Sequence, residues 1–503
     1  MSLATVHSRA QVGVAAPPVT VEIHLANGLP SHAVVGLPAA AVRESRERVR
    51  GAIATSGLDF PARRITVNLA PADLPKEGGR FDLPIAIGLL AASGQLPLEA
   101  LAEMEFLGEL ALNGDLRPVR GALPAALKAA AAGHTLVVPR ANAAEAARAT
   151  DARVLAADTL IGVCAHLTGL RPLDSCRTET EAEEPAVALD LADVRGQHQA
   201  KRALLMAAAG GHSLLMLGPP GTGKTMLASR LPDLLPPMDE AEALESAAVH
   251  SVAGDGEAVA RNWRRRPFRT PHHTASAVAL VGGGGHPRPG EISLAHHGIL
   301  FLDELPEFER RVLEVLREPL ESGEVTVARA ARRTTFPARF QLVAAMNPCP
   351  CGYLGHPSGR CACTPDQILR YRGRLSGPLL DRIDLHLEVP AIGAEVLGQG
   401  MEPAPETPAA RRRVVAARQR QIQRQGVLNS QLDGSAIEGT CALGRDERRL
   451  LHHAIERLEL STRGYHRILR MARTAADLEE AERVGSHHLS EAIGYRQLDR
   501  PVP

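Results

Sequence analysis

An octet with the spacing of a phosphate-binding loop runs from Gly218 to Thr225 and reads GPPGTGKT. The apolar run SLLML precedes it and MLASRL follows it, which is the strand, loop and helix context that this motif requires. Its glycines let backbone N–H groups turn towards phosphate oxygens, Lys224 reaches the β- and γ-phosphates, and the hydroxyl of Thr225 reaches Mg²⁺. An accidental Gly-rich turn is the alternative, and the flanking pattern argues against it. The residues predicted to bind ATP are Gly218, Pro219, Pro220, Gly221, Thr222, Gly223, Lys224 and Thr225.

Polar side chains follow two further apolar runs. GILFLDELPEF contains Asp303 and Glu304, and RFQLVAAMNP contains Asn347. Phosphoryl transfer needs positioning and charge stabilisation more than a strong base. We therefore predict that Asp303, together with Thr225, holds Mg²⁺, that Glu304 orients the attacking water, and that Asn347 touches the γ-phosphate or that water. An isolated Asp-Glu pair could instead cap a helix, but its place after a phosphate loop favours catalysis.

Four cysteines lie close together in the segment CPCGYLGHPSGRCAC. Two C-x-C pairs around a Gly-rich loop could hold a structural Zn²⁺ with tetrahedral geometry. The spacing is tighter than the common C-x₂-C, and His356 could replace one thiolate, so free thiols remain the alternative. The residues concerned are Cys349, Cys351, Cys361 and Cys363.

Length and composition limit the kind of protein that can carry these motifs. A chain of 503 residues is expected to form two or three domains. Lys+Arg and Asp+Glu are equal at 57 each, so any site for a polyanion must be a local patch. The N-terminus has no basic and apolar leader, and no run is apolar enough to cross a bilayer. These features predict a cytoplasmic protein without membrane contact.

Changes in composition divide the chain. Alternating strand patterns and helical spacing predict an α+β domain over residues 1–170, and the acidic stretch TETEAEEP marks a linker over 171–187. Residues 188–395 read as a doubly wound α/β domain with a parallel sheet. A Pro-rich linker over 396–410 and an all-α region over 411–503 complete the predicted organisation.

The order of these motifs resembles that of AAA+ ATPases. Asn347 stands at their sensor position. In GPLLDRIDLHLEVP, Arg382 resembles the arginine finger that one subunit inserts into its neighbour's site. In STRGYHRILRMARTAADL, Arg463 resembles the sensor-2 arginine of a helical lid. Taken singly, either arginine is more often a solvated surface charge.

Nearly the whole chain resembles the ComM/YifB family of bacterial proteins, which is grouped with magnesium-chelatase ATPases and related to MCM helicases. The segments that carry the resemblance are VGLPAAAVRESRERVRGAI, NLAPADLPKEGGRFDLPIAIG, FRTPHHTASAVALVGGG, PRPGEISLAHHGILFLDELPEF and SGPLLDRIDLHLEVP. This resemblance implies a ring-forming, hexameric, ATP-driven DNA motor that acts in branch migration during natural transformation.

Two insertions found in MCM-like motors have counterparts here. Residues 271–290 are long and Gly-rich, and residues 323–340 have a strand, turn and strand pattern. The tip of the second carries Arg329, Arg332 and Arg333, which are predicted to contact DNA phosphates. A solvated hairpin with ordinary surface arginines is the alternative.

The first domain resembles the Lon-protease proteolytic fold but departs from it at the reactive positions. Arg80 stands where the nucleophilic serine belongs, and Pro124 stands about where the base lysine belongs. Without a nucleophile and a base, covalent catalysis of that type is excluded. An ATP-dependent protease is therefore the weakest alternative, and an ATPase subunit that drives metal insertion into a porphyrin is the stronger one.

Overall fold

The computed structural model describes residues 2–36, 40–177, 187–285, 287–329, 332–391, 404–458 and 460–496. Within them, the chain builds a mixed sheet near the N-terminus, a parallel sheet in the middle and a helical region near the C-terminus. The predicted mixed α/β class is confirmed.

The first domain is built on an eight-stranded sheet in the order β10-β9-β8-β5-β1-β2-β4-β3. Its strands are β1 (Ser2–Arg9), β2 (Pro18–Ala26), β3 (Ser31–Val35), β4 (Arg64–Ala70), β5 (Met104–Phe106), β6 (Glu109–Leu110), β7 (Leu116–Arg117), β8 (Thr135–Pro139), β9 (Arg153–Ala157) and β10 (Asp174–Cys176). Its helices are α1 (Ala40–Thr55), α2 (Asp82–Ala92), α3 (Ala122–Ala131), α4 (Arg140–Ala146) and α5 (Leu160–Leu167). Strands β6 and β7 form a separate antiparallel pair.

Helix α2 is the centre of this domain's core. Its sequence DLPIAIGLLAA is apolar on all sides after Asp82, and every residue of the helix is buried. A helix that is apolar all round belongs inside a core. Gly88 allows the helix to lie close to the sheet, because a Cβ there would stand 2.6 Å from the side chain of Ile23.

The second domain contains a five-stranded parallel sheet in the order β12-β15-β18-β11-β19. Its strands and two inserted hairpins are β11 (Leu214–Leu217), β12 (Phe268–Arg269), β13 (Gly282–Gly283), β14 (Arg288–Pro289), β15 (Ile299–Leu302), β16 (Glu324–Arg329), β17 (Arg332–Pro337), β18 (Gln341–Met346) and β19 (Leu385–Glu388). Its helices are α6 (His198–Gly210), α7 (Lys224–Leu234), α8 (Glu240–Ala253), α9 (Gly256–Arg261), α10 (Ala277–Val281), α11 (Glu291–Leu294), α12 (Arg310–Glu314), α13 (Arg317–Ser322), α14 (Pro365–Arg372) and α15 (Gly377–Leu380).

The sheet register positions the site. Leu217 at the end of β11 pairs with Met346 at the end of β18, and β15 pairs with the other side of β18 through Leu302 and Ala344. The strands are continuous apolar runs, as expected where helices cover both faces of a parallel sheet. Because parallel strands end at the same edge, the residues that follow β11, β15 and β18 meet there.

The two segments predicted to be insertions each contain an antiparallel strand pair. The first contains α10 and the antiparallel pair β13 and β14. The second is the antiparallel pair β16 and β17, with Arg329 opposite Arg332. The two strands predicted within residues 323–340 are confirmed, while the connection between them and the side chains of Arg329 and Arg332 lie outside the described parts of the chain.

The C-terminal region is helical over its described elements. Its α-helices are Thr407–Gln425, Gly434–Cys441, Arg445–Leu458, Thr462–Leu478 and Ser486–Gly494. Leu204 of α6, Val414 and Leu469 belong to one buried apolar cluster. The helical region therefore shares a core with the parallel-sheet domain.

Two predicted boundaries shift. Strand β10 pairs with β9, so residues 174–176 belong to the first domain's sheet and not to the predicted 171–187 linker. The helix Thr407–Gln425 begins inside the predicted 396–410 linker. The strand was missed and the start of the helix was placed too late, because polar residues and prolines dominate these stretches. Among the described helices, none is long and apolar enough to cross a membrane.

Candidate functional site

The phosphate loop connects β11 to α7, as the motif requires. Gly221 and Gly223 have φ angles of 76° and 84°, a left-handed conformation that other residues adopt only with strain. Gly218 has a different reason to be glycine, since a Cβ there would lie 2.3 Å from the carbonyl oxygen of Val389. The loop leads directly into the N-terminus of α7, where helix N–H groups favour a bound anion.

Lys224 is the buried cation of this loop. Its Nζ donates to the carbonyl oxygens of Gly218 and Pro219 at 2.7 and 2.9 Å, and to Oδ1 of Asn347 at 3.3 Å. Burial lowers the pKa of Lys224, while the charges of Asp303 and Glu304 act to raise it. The ammonium thus lies between the loop and the end of β18, with neutral acceptors that a phosphate can replace.

A hydroxyl and a carboxylate meet beside Lys224. Oγ1 of Thr225 donates to Oδ2 of Asp303 at 2.7 Å, and Oδ1 of Asp303 accepts the N–H of Glu304 at 2.9 Å. Hard oxygen ligands of this kind are those that Mg²⁺ takes at nucleotide sites. The two side chains therefore fit the predicted role of holding Mg²⁺.

Glu304 has a partner that sequence reasoning missed. Its Oε2 lies 3.0 Å from Nδ1 of His273, with side-chain exposures of 49% and 32% respectively. Glu304 also has a φ of 53°, and such strained backbone is enriched at functional sites. His273 lies after β12 at the start of the first insertion. The only sequence signal was the pair of adjacent histidines in PHHTAS.

Asn347 follows β18, and its Oδ1 accepts the hydrogen bond from Lys224 described above. The loop after it folds back onto the phosphate loop, because Gly352 approaches Pro220 so closely that a Cβ would lie 2.8 Å from its ring. Asn347 therefore stands between the phosphate loop and the cysteine-containing segment.

The two predicted arginines differ in their surroundings. Arg382 donates to the carbonyl oxygen of Pro378 at 2.6 Å and forms an ion pair with Glu321, and its side chain is only 10% exposed. Arg463 is exposed at the start of helix Thr462–Leu478, and it has no salt bridge or side-chain hydrogen bond to any residue that the structure describes. The structure brings neither into the hydrogen-bonded cluster around Lys224.

Buried arginines of the helical region hold the segment that carries Arg382. Arg467 donates to the carbonyl oxygen of Ile383 at 3.2 Å and lies 3.7 Å from Asp384. Arg496 donates to the same Ile383 oxygen at 2.7 Å. Asp384 is further bound to His212 at 3.2 Å. Sequence reasoning missed these contacts, although Arg467 is four positions after Arg463 on the same helix.

The four cysteines form a compact cluster. Sγ of Cys349 lies 3.3 Å from that of Cys351 and 3.7 Å from that of Cys361, and all four Sγ atoms, that of Cys363 included, are within 4.8 Å of one another. The backbone N–H of Tyr353, followed by the Cys349 thiol, lowers the pKa of Cys351 to about 6. Four soft ligands at these separations suit a tetrahedral thiolate site for Zn²⁺.

Two other clusters combine histidines with glutamate. His296 and His297 both contact Oε2 of Glu245, at 3.1 and 2.8 Å. Nδ1 of His296, however, accepts the backbone N–H of Arg339 at 3.0 Å, so its Nε2 must carry the proton in the neutral ring. A protonated Nε2 donates to the carboxylate and cannot ligate a metal. The same holds for His488, whose Nδ1 accepts a backbone N–H.

Comparison with known proteins agrees with this geometry. The family described as magnesium chelatase, subunit ChlI, matches residues 190–397, and its C-terminal family matches residues 405–496. A further family, subunit ChlI of Mg-chelatase, matches residues 21–142. The chain is thus a magnesium-chelatase-like AAA+ protein, a class that implies ATP and Mg²⁺ as ligands.

Relatives that match over nearly their full length identify the family within this class. Protein YifB of Salmonella typhimurium is 53% identical over 500 residues, which cover 99% of this chain and 98% of that protein. Competence protein ComM of Haemophilus influenzae is 52% identical over 506 residues, with 99% and 98% covered. The 38 kDa magnesium-chelatase subunit of Cereibacter sphaeroides is 27% identical over 319 residues, with 58% and 86% covered. The chain belongs to the ComM/YifB family.

Proposed function

We propose that the protein is an ATP-hydrolysing, ring-forming motor that moves DNA, a branch migration helicase that acts on recombination intermediates in natural transformation. The observation that carries the ATPase part is the contact of Thr225 with Asp303 beside Lys224. Support for the DNA part comes from the arginine-bearing hairpin β16–β17 and from 52% identity, over 99% of the chain, to a protein named for competence.

The residues divide the work of hydrolysis. Lys224 exchanges its carbonyl acceptors for phosphate oxygens, and Thr225 with Asp303 holds the metal shell, which neutralises charge on the transferred phosphoryl group. Glu304 orients the attacking water, and Asn347 keeps the Lys224 ammonium and this water in position.

Arg382 of one subunit and Arg463 complete the site in a hexameric ring.

The cytoplasm is the proposed location, with DNA and further copies of this chain as the partners. Arg333 is exposed on β17, where it can meet a phosphate backbone. Arg329 and Arg332 belong to the same hairpin in the proposal. Six such hairpins around a channel would make DNA affinity fall steeply with salt.

We also propose that Cys349, Cys351, Cys361 and Cys363 hold a structural Zn²⁺. The support is the mutual proximity of their four Sγ atoms. The metal would brace the loop that follows Asn347 and contacts Pro220, and so keep the sensor side chain in place without taking part in the chemistry.

A subunit that drives metal insertion into a porphyrin is the second candidate, favoured by the descriptions of the matching families. The lower identity and partial coverage of the chelatase subunit argue against it. An ATP-dependent protease is the weakest candidate, because Arg80 and Pro124 occupy the positions of the nucleophile and the base in the Lon resemblance.

The test is unwinding of a four-way DNA junction with ATP and Mg²⁺. We expect the wild-type protein to convert the junction, the Lys224→Ala variant to fail, and the matched control Lys128→Ala, which changes an exposed lysine of α3, to behave as wild type. ATPase rates with forked DNA, a porphyrin complex or an unfolded protein distinguish the three candidates. Stimulation by the porphyrin complex alone would refute the DNA motor.

A further inference from the structure

A cavity of about 920 Å³ lies between the first domain and the parallel-sheet domain, and we refer to it as the interdomain cleft. Arg80 and Arg120 line it from the first domain. Arg288 of β14 and Arg333 of β17 line it from the two inserted hairpins. Four arginines from four separate chain segments therefore line the same cavity.

Arg80 is the most informative of the four. Only 5% of the residue is exposed, and its Nη2 donates to the carbonyl oxygen of Arg120. Burial lowers the pKa of Arg80 to about 10, and no carboxylate among the described residues raises it. Buried charges in proteins are normally paired, because removing them from water is costly. A buried guanidinium at a cavity wall without an acidic partner is a site that an anion can complete.

Arg120 and Arg288 add like charge from the two domains. The Arg120 side chain crosses the boundary, since its Nε lies 2.9 Å from the position of a Cβ on Gly254. Burial, and then the charge of Arg288, lower the pKa of Arg120. Among the residues that the structure describes, none of the four arginines has a carboxylate oxygen within 4.0 Å in a salt bridge.

Three carboxylates also line the cleft, and two of them act on other cations. Glu109 lies 3.8 Å from Arg117, and the charge of Asp73 acts on Lys76. The third is Glu77. Four arginines against three carboxylates leave a small positive excess, and the arginines remain available to donate in pairs to phosphate oxygens.

We propose that the interdomain cleft holds phosphate groups of a single DNA strand, and that the first domain thereby contributes directly to DNA binding. This rests on the proposed function, because the same hairpins carry the predicted DNA contacts. The volume of the interdomain cleft is in the range of pockets that enclose one small ligand. A cavity of this size suits a few nucleotides of a single strand and not a duplex.

The test is the affinity of the full-length double variant Arg120→Gln/Arg288→Gln for a single-stranded oligonucleotide, measured by fluorescence anisotropy over a range of salt. Both residues are exposed, so folding is not at risk, and the buried Arg80 is left unchanged. We expect a loss of affinity of about tenfold and a slope of log affinity against log salt that is smaller by about 1.4, or roughly 0.7 for each phosphate contact. Wild-type affinity and slope in the variant would overturn the proposal.

The matched control is Arg63→Gln/Arg64→Gln, which removes two exposed arginines near the start of β4 and should leave affinity and slope unchanged. An equal loss in the control would overturn the assignment to the cleft. Pyrophosphate binding, measured by calorimetry on Lys224→Ala protein with and without the cleft substitutions, distinguishes a free phosphate from a strand. If wild-type protein binds no DNA, the proposed function fails. Pyrophosphate binding that the cleft substitutions abolish would then still support a phosphate site, and no binding would overturn it.

Discussion

Replacement of His273 by alanine removes the described partner of the Glu304 carboxylate and should raise ATP turnover without DNA. The two side chains are 3.0 Å apart and are partly exposed, so solvent screens the pair and its contribution is about 0.5–1 kcal/mol. A free-energy difference of 1.4 kcal/mol corresponds to roughly a tenfold change in an equilibrium constant. Loss of the pair therefore raises the population with an unpaired Glu304 carboxylate about two- to fivefold. If unpaired Glu304 orients the water, kcat rises by at most that factor.

Two substitutions sharpen the assay, which measures phosphate release against ATP concentration. His272→Ala is the matched control, because His272 is adjacent and its ring contacts Thr274 of its own loop at 2.9 Å. His273→Asn keeps a hydrogen-bond donor and should remain closer to wild type. KM for ATP should not change, because within the described parts of the chain the side chains of Lys224 and Thr225 make no hydrogen bond to His273. An unchanged or lower kcat in His273→Ala would show that the contact does not restrain Glu304.

Lys224→Ala should lose ATP turnover, whereas Glu304→Gln should bind ATP and stall, as measured by a fluorescent nucleotide and by phosphate release. Normal turnover in either variant contradicts the site. Metal analysis should find roughly one Zn²⁺ per chain, and Cys361→Ser should lower both the metal content and Tm. Four freely reactive thiols in metal-free, fully folded protein would argue against this centre. Arg329→Ala and Arg333→Ala should keep basal ATPase and lose DNA stimulation, and unchanged stimulation would remove the hairpin from the DNA path.

The nucleotide site could be predicted because its parts follow a rule of parallel sheets. Gly218, Asp303 and Asn347 each come directly after an apolar strand, and the carboxyl ends of adjacent parallel strands meet at the same edge. The sequence distance between these residues is therefore unimportant.

Contacts that depend on tertiary packing could not be predicted. Strand β1 carries Arg9 in the middle of the sheet, where it forms a bidentate ion pair with the buried Glu105 at 2.6 Å. Its partner lies far along the chain, so no local periodicity reveals it. His273 is a similar case, since the path of an insertion relative to Glu304 is determined by the fold around it. The convergence of Arg80 and Arg288 on one cleft likewise needs the relative placement of two domains.

The surroundings of the described nucleotide site bear on the proposed ring. Lys224, Thr225, Asp303 and Asn347 form a connected cluster, and no arginine of the described chain donates to any of these four side chains. Phosphoryl transfer at such sites is accelerated by a guanidinium, supplied either within the chain or by a neighbouring subunit.

Arg382 forms an ion pair with Glu321. The backbone next to it is anchored by Arg467 and Arg496, which both donate to the carbonyl oxygen of Ile383. In the proposed ring, Arg382 must leave its ion pair with Glu321 and its hydrogen bond to the carbonyl oxygen of Pro378 to reach the next subunit's site, while its backbone stays anchored at Ile383.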